Sequence, residues 1–149
     1  MNKDSKLKLQ KAVDTLKKLH FKEEDIMVTG SIALDLYGLL PNGRPIHDVD
    51  LIIKMDDQTW RCLKLIEAIN QADEKSVIDE SYASKKNTVF LDVKGLTLNI
   101  WRYEGEWSDI KEAETGVYVA TVEHIINAKK KYARSKDFMD IAEICKKIL

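Results

Sequence analysis

Hydrophobic and polar positions follow two periods along this chain. Leu7, Leu9, Val13, Leu16 and Leu19 recur at helical spacing among lysines, which predicts an amphipathic helix over 7–19 with a solvated basic face. Asp25-Ile26-Met27-Val28-Thr29 reads as a short strand. Gly30-Ser31 then turns the chain, with Ser31 as candidate cap, and 32–38 reads as two helical turns ended by Gly38. The stretch 40–45 carries Pro and Asn-Gly turn signals and is a loop. A second apolar strand covers 49–53. A helix starts at Asp57 or Thr59 and runs to about Ala72, with Trp60, Leu63, Ile66 and Ile69 on one face. The polar stretch 73–86 is assigned to no element.

A hairpin follows. Val89-Phe90-Leu91-Asp92-Val93 and Leu96-Thr97-Leu98-Asn99-Ile100-Trp101 flank Lys94-Gly95, a two-residue turn. That turn pairs Val93 with Leu96, Asp92 with Thr97 and Phe90 with Asn99. Alternation then places Phe90, Asp92, Thr97, Asn99 and Trp101 on one face, and Val89, Leu91, Val93, Leu96, Leu98 and Ile100 on the core face. The connection 103–113 is polar, with Trp107 as its anchor. A short strand is expected within 116–120. Thr121 caps a helix that ends near Ala133. Ser135 caps a last helix carrying Phe138, Ile141, Ile144, Ile148 and Leu149. The expected fold class is α+β: a small mixed β-sheet flanked by helices, with C-terminal helices.

The chain has 149 residues, 44% apolar and 33% charged, a composition that suits one globular domain. We divide that domain into a core of about 20–103 and a helical part of about 120–149. A net charge of −1 gives no support for duplex DNA as a partner. No signal-like or membrane-spanning run is visible, and Cys62 and Cys145 read as reduced thiols in or near the core. The expected location is cytoplasmic, with no membrane partner. Trp101, Tyr103 and Trp107 are candidates for stacking a base, although such residues more often close a small core.

The chemistry concentrates in 26–53. Asp48 and Asp50 share one face of a strand, where they can hold a divalent cation between them. Gly30-Ser31 follows a strand and opens a helix, so free N–H groups and the Ser31 hydroxyl can receive a phosphate. Arg44 and His47 lie in the loop between and can reach a phosphate chain or base. Together these parts suit phosphoryl or nucleotidyl transfer, with Mg²⁺ as the cofactor; two ions need a third carboxylate.

The Gly30-Ser31 turn and the Asp48-Val49-Asp50 run resemble the nucleotidyltransferase superfamily with the polymerase-beta-like fold. The likeness is to its small bacterial group of antibiotic nucleotidyltransferases and abortive-infection toxins. Further on, Lys129 to Asp140 is similar to that group's Lys…Arg-x-Lys-Asp…Asp run. Arg134, Lys136 and Asp137 match most directly, and Lys130 matches the upstream basic position. The resemblance implies transfer of a nucleoside monophosphate from a nucleoside triphosphate to a hydroxyl, with release of pyrophosphate. It also implies that Asp48 and Asp50 bind metal. Gly30, Ser31, Arg44, Lys130, Arg134 and Lys136 would hold substrate. The acceptor is unassigned, and a homodimer or partner protein is expected to complete its site.

The sequence departs from that pattern at the third acid. The equivalent position is Asn99, which cannot act as a base. Asp92, on the same face, is the candidate replacement and the third candidate catalytic residue, with Asn99 left to touch substrate. The alternative is a degenerate member of the fold that binds nucleotide or a protein partner without turnover.

Overall fold

A computed structural model describes residues 3–41, 43–72, 87–93 and 95–149. The expectation for 73–86, and Lys94 of the expected turn, lie outside the described residues. Among the described residues there are five α-helices and one five-stranded sheet. The helices are α1 (Lys3–Lys18), α2 (Gly30–Leu36), α3 (Asp57–Ala72), α4 (Val122–Tyr132) and α5 (Ser135–Ile148). The strands are β1 (Ile26–Thr29), β2 (Asp48–Ile53), β3 (Thr88–Val93), β4 (Leu96–Arg102) and β5 (Tyr118–Val119). Their spatial order is β3-β4-β2-β1-β5. β1 is antiparallel to β2 and parallel to β5; β2 is parallel to β4; β3 is antiparallel to β4. The fold is therefore α+β with a mixed sheet. No described helix is long and apolar enough to cross a membrane.

Strand alternation does the sorting. In β2, Val49, Leu51 and Ile53 are buried while Asp48, Asp50 and Ile52 are half-buried. The hairpin has the expected register, with Asp92 opposite Thr97 and Phe90 opposite Asn99. Val89, Leu91, Leu96, Leu98 and Ile100 enter the core. α1 lays Ser5, Leu9, Ala12, Val13 and Leu16 inward and touches β2 and β4; α2 touches β1 and β2. Each such Leu or Val contributes roughly 1.5–3 kcal/mol of apolar burial.

Several helix faces differ from the sequence reading. α1 begins earlier than expected, so its buried stripe runs through Ser5 and Ala12, and Leu7 and Leu19 are exposed. On α3 only Leu63 of the expected face is buried, while Ile66 and Ile69 are exposed. On α5 the buried stripe is Asp137, Asp140 and Ile144; Phe138, Ile148 and Leu149 face outward. Cys62 and Cys145 are exposed, not core thiols. Caps moved as well. Thr29, in extended backbone, is the N-cap of α2, so Ser31 lies inside the first turn. Arg134 is the N-cap position of α5, and the Asp137 carboxylate accepts from both its backbone N–H and its Nε, so Ser135 lies inside the helix. Thr121 caps α4 as expected, accepting from His124 N–H at 3.1 Å.

Candidate functional site

The site grows from the end of β1. Thr29 pairs with Asp50, and the chain then enters α2 through Gly30 at φ +65°. Any other L residue would be strained there. A Cβ at Gly30 would also stand 2.9 Å from Asp50 Cγ, so glycine is required both for the bend and for the room Asp50 occupies. Ser31 is half-buried in the first turn of α2, whose leading N–H groups have no acceptor within the helix.

The parallel pairing of β2 with β4 places Asn99 beside Asp50 and Thr97 beside Asp48. Two rows cross the sheet: Thr29–Asp50–Asn99–Phe90, and Asp48–Thr97–Asp92. Asn99 hydrogen-bonds the Asp50 carboxylate. Its Oδ1 accepts from the Thr88 hydroxyl at 2.5 Å. The Asn99 amide nitrogen is thus the group left to donate to Asp50, and its oxygen is engaged on the far side.

Asp92 stands two strands from Asp48, about 10 Å by ordinary strand spacing. It is exposed and accepts from Thr97 Oγ1 at 2.9 Å. The structure therefore brings Asn99 to the pair and leaves Asp92 at the sheet's edge strand. Among the described residues no third carboxylate, histidine or cysteine joins Asp48 and Asp50 in a metal-sized group.

Asp50 carries the main electrostatic signature. Burial pushes its carboxyl up to about 7, and the neighbouring Asp48 charge pushes the same way. The Asn99 hydrogen bond and the Lys129 and Lys136 charges oppose this. Two carboxylates that resist ionising together on one strand face are a donor set that suits a divalent cation, whose charge would relieve both effects.

The basic residues divide into two groups. Lys136 is exposed, yet its charge acts on Asp50. Lys130 is exposed, while Lys129, its neighbour, is mostly buried and its charge acts on Asp50. Arg134 is engaged by Asp137 through Nε at 2.7 Å and Nη2 at 3.1 Å. Arg44 is engaged by Asp140 through two bonds, at 2.9 and 2.6 Å. Lys129, Thr88 and Asp140 are the residues that the sequence reading did not assign to the site. A signal existed for two of them. Lys129 falls on the inward stripe of Val122, Ile125 and Ile126, and Asp140 shares a stripe with Ile144, at spacings of three and four.

Tyr103 and Trp107 lie elsewhere. Trp107 packs edge-on with Tyr103 and Tyr118, and Lys54 sits over its ring at 4.3 Å. Lys54 follows the far end of β2, about 13 Å along the strand from Asp50. Trp101 keeps the site's face, two positions beyond Asn99. Comparison with family models, curated proteins and solved structures returned no match for the chain.

Proposed function

We propose that the protein is a Mg²⁺-dependent nucleotidyltransferase, moving a nucleoside monophosphate from a nucleoside triphosphate to a hydroxyl acceptor. The observation that carries the reading is the Asp48/Asp50 pair packed against a strand–helix turn whose Gly30 leaves space for the Asp50 carboxylate. Asp48 and Asp50 would hold the ion. When bound, Mg²⁺ supplies positive charge to the phosphates and favours ionisation of the acceptor hydroxyl. The first N–H groups of α2 and the Ser31 hydroxyl face the phosphate as neutral donors. Lys136 adds positive charge from the start of α5. The acceptor oxygen attacks the α-phosphorus, the bond to pyrophosphate breaks, and pyrophosphate leaves with its electron pair. Asn99 cannot take the acceptor's proton and Asp92 stands two strands away, so that proton falls to the acidic pair.

A second reading is binding without turnover, and Asn99 beside Asp50 favours it. Calorimetric titration with the four nucleoside triphosphates, with and without Mg²⁺, tests the site. Binding is expected to require Mg²⁺ and to drop at least 100-fold in Asp48→Ala with the fold intact. Equal binding by wild type and variant would sink both readings. Pyrophosphate release in the presence of hydroxylated acceptors separates them: release marks the transferase, and tight binding without release marks the second reading.

A further inference from the structure

α5 packs on the rest of the fold through one side. Asp137, Asp140 and Ile144 are buried there, while Phe138, Ala142, Cys145 and Leu149 are exposed. These four exposed residues follow one another at steps of four, three and four, the spacing of a helix-pairing seam. The spacing reads the same from either end, and so does the size: large, small, small, large. Laid head to tail on a second copy, Phe138 meets Leu149 of that copy and Ala142 meets its Cys145. The small residues then flank the two-fold axis, where the helices approach, and the large ones fill the ends.

The charges agree with that orientation. Glu143 and Lys146 are exposed beside the seam and make no ion pair among the described residues. The same register brings Glu143 of one copy within a helical turn of Lys146 of the other, and the pair repeats across the axis. A parallel register would set each residue level with itself, like charges included. The exposed stripe on α3, with Cys62, Leu65, Ile66 and Ile69, offers no such match. Its helix has two acids, and both are engaged within the chain: Asp57 by Arg102 and Glu67 by the Phe90 N–H.

We propose that two copies of this chain pair through the outward face of α5, antiparallel, with Ala142 and Cys145 beside the two-fold axis. The helix is about 21 Å long, so the contact falls below the roughly 800 Å² per partner of a standard interface and the dimer is a reversible one.

Sedimentation velocity of the full chain under reducing conditions, from roughly 1 to 300 µM, should show monomer giving way to dimer. Phe138→Glu should weaken the dimer by about 100-fold without changing the melting temperature, because Phe138 is exposed in the monomer. Lys146→Glu should weaken it by about 3- to 10-fold, and adding Glu143→Lys should restore it to within about twofold. Glu143 also acts on Arg44 inside the chain, so Lys146→Glu is the single variant of choice. The two exposed thiols tell the faces apart. In this register the two Cys145 residues stand about 4.5 Å apart along the helix axis, within reach of a short bis-maleimide. Cys62→Ser should crosslink as wild type does, and Cys145→Ser should not. A monomer at every concentration overturns the proposal. So does a crosslink that requires Cys62, which would assign the dimer to α3, or a double charge reversal no better than the single one. If Phe138→Glu fails to fold, the crosslink and the charge reversal decide.

Discussion

Two pairs of aspartates divide this molecule. Asp48 and Asp50 lie on one face of β2, with Asn99 as the neighbour of one and Thr97 of the other. Asp137 and Asp140 lie on one face of α5, and each has cations at hydrogen-bond distance. Burial acts on Asp50 and on both acids of α5, with opposite outcomes. Asp50 is pushed up to about 7 by burial and by Asp48. Arg134 pulls Asp137 down, and for Asp140 the bonds from Arg44 and Lys129 outweigh a burial effect that acts the other way. Partners, not depth, decide which acids are ionised. The α5 pair is satisfied and holds structure; Asp50 stays raised even though Asn99, Lys129 and Lys136 oppose its burial.

The sharpest way to break this contrast is to remove an acid from each side. Asp140→Ala takes from Arg44 and Lys129 the carboxylate they share, and is expected to cost about 2–3 kcal/mol in urea unfolding. That is below the full figure for a buried pair, because Arg44 is about a third exposed at its side chain. Asp50→Asn should do the reverse and stabilise the fold by about 1–3 kcal/mol at pH 8 while abolishing metal-dependent nucleotide binding. Its sign follows from linkage. A carboxyl raised from 3.8 to about 7 keeps its proton longer when folded. The wild-type contribution is then fully present below about pH 4 and lost as pH rises through 7. The stabilisation by Asn should accordingly vanish near pH 4, and a gain that is flat between pH 4 and 8 would contradict the assignment. The smallest effect is expected at Arg134, which is 60% exposed. Arg134→Ala removes the Nε and Nη2 bonds to Asp137 but keeps the backbone N–H bond to that carboxylate, and should cost about 0.2–1 kcal/mol, the range of an exposed ion pair.

What could be read in advance was whatever a local period determines. The two faces of β3 and β4, their register and the shared face of Asp48 and Asp50 all follow from two-residue alternation, with apolar side chains marking the inward direction. The Thr121 cap is equally local. The strand order is not. Nothing near Asn99 announces that β4 lies parallel to β2 with Asn99 beside Asp50, or that Asp92 ends two strands out. α5 failed for a different reason. Its apolar residues suggested which face was inward, but the buried face contains two aspartates whose partners include Arg44, 96 positions away in sequence. Hydrophobicity assigns acids to solvent, and only a distant cation reverses that. Ser31 was displaced as a cap because Thr29 already has the extended backbone a cap needs.

Gly30 has a consequence for anyone trying to harden this protein. It opens a helix, and replacing helical glycine with alanine is a standard route to a higher melting temperature. Here the added methyl would meet both a left-handed backbone and the Asp50 carboxylate. The substitution that propensity scales recommend is the one this scaffold tolerates least, so thermostabilisation should start on the outward face of α3 and leave this turn alone.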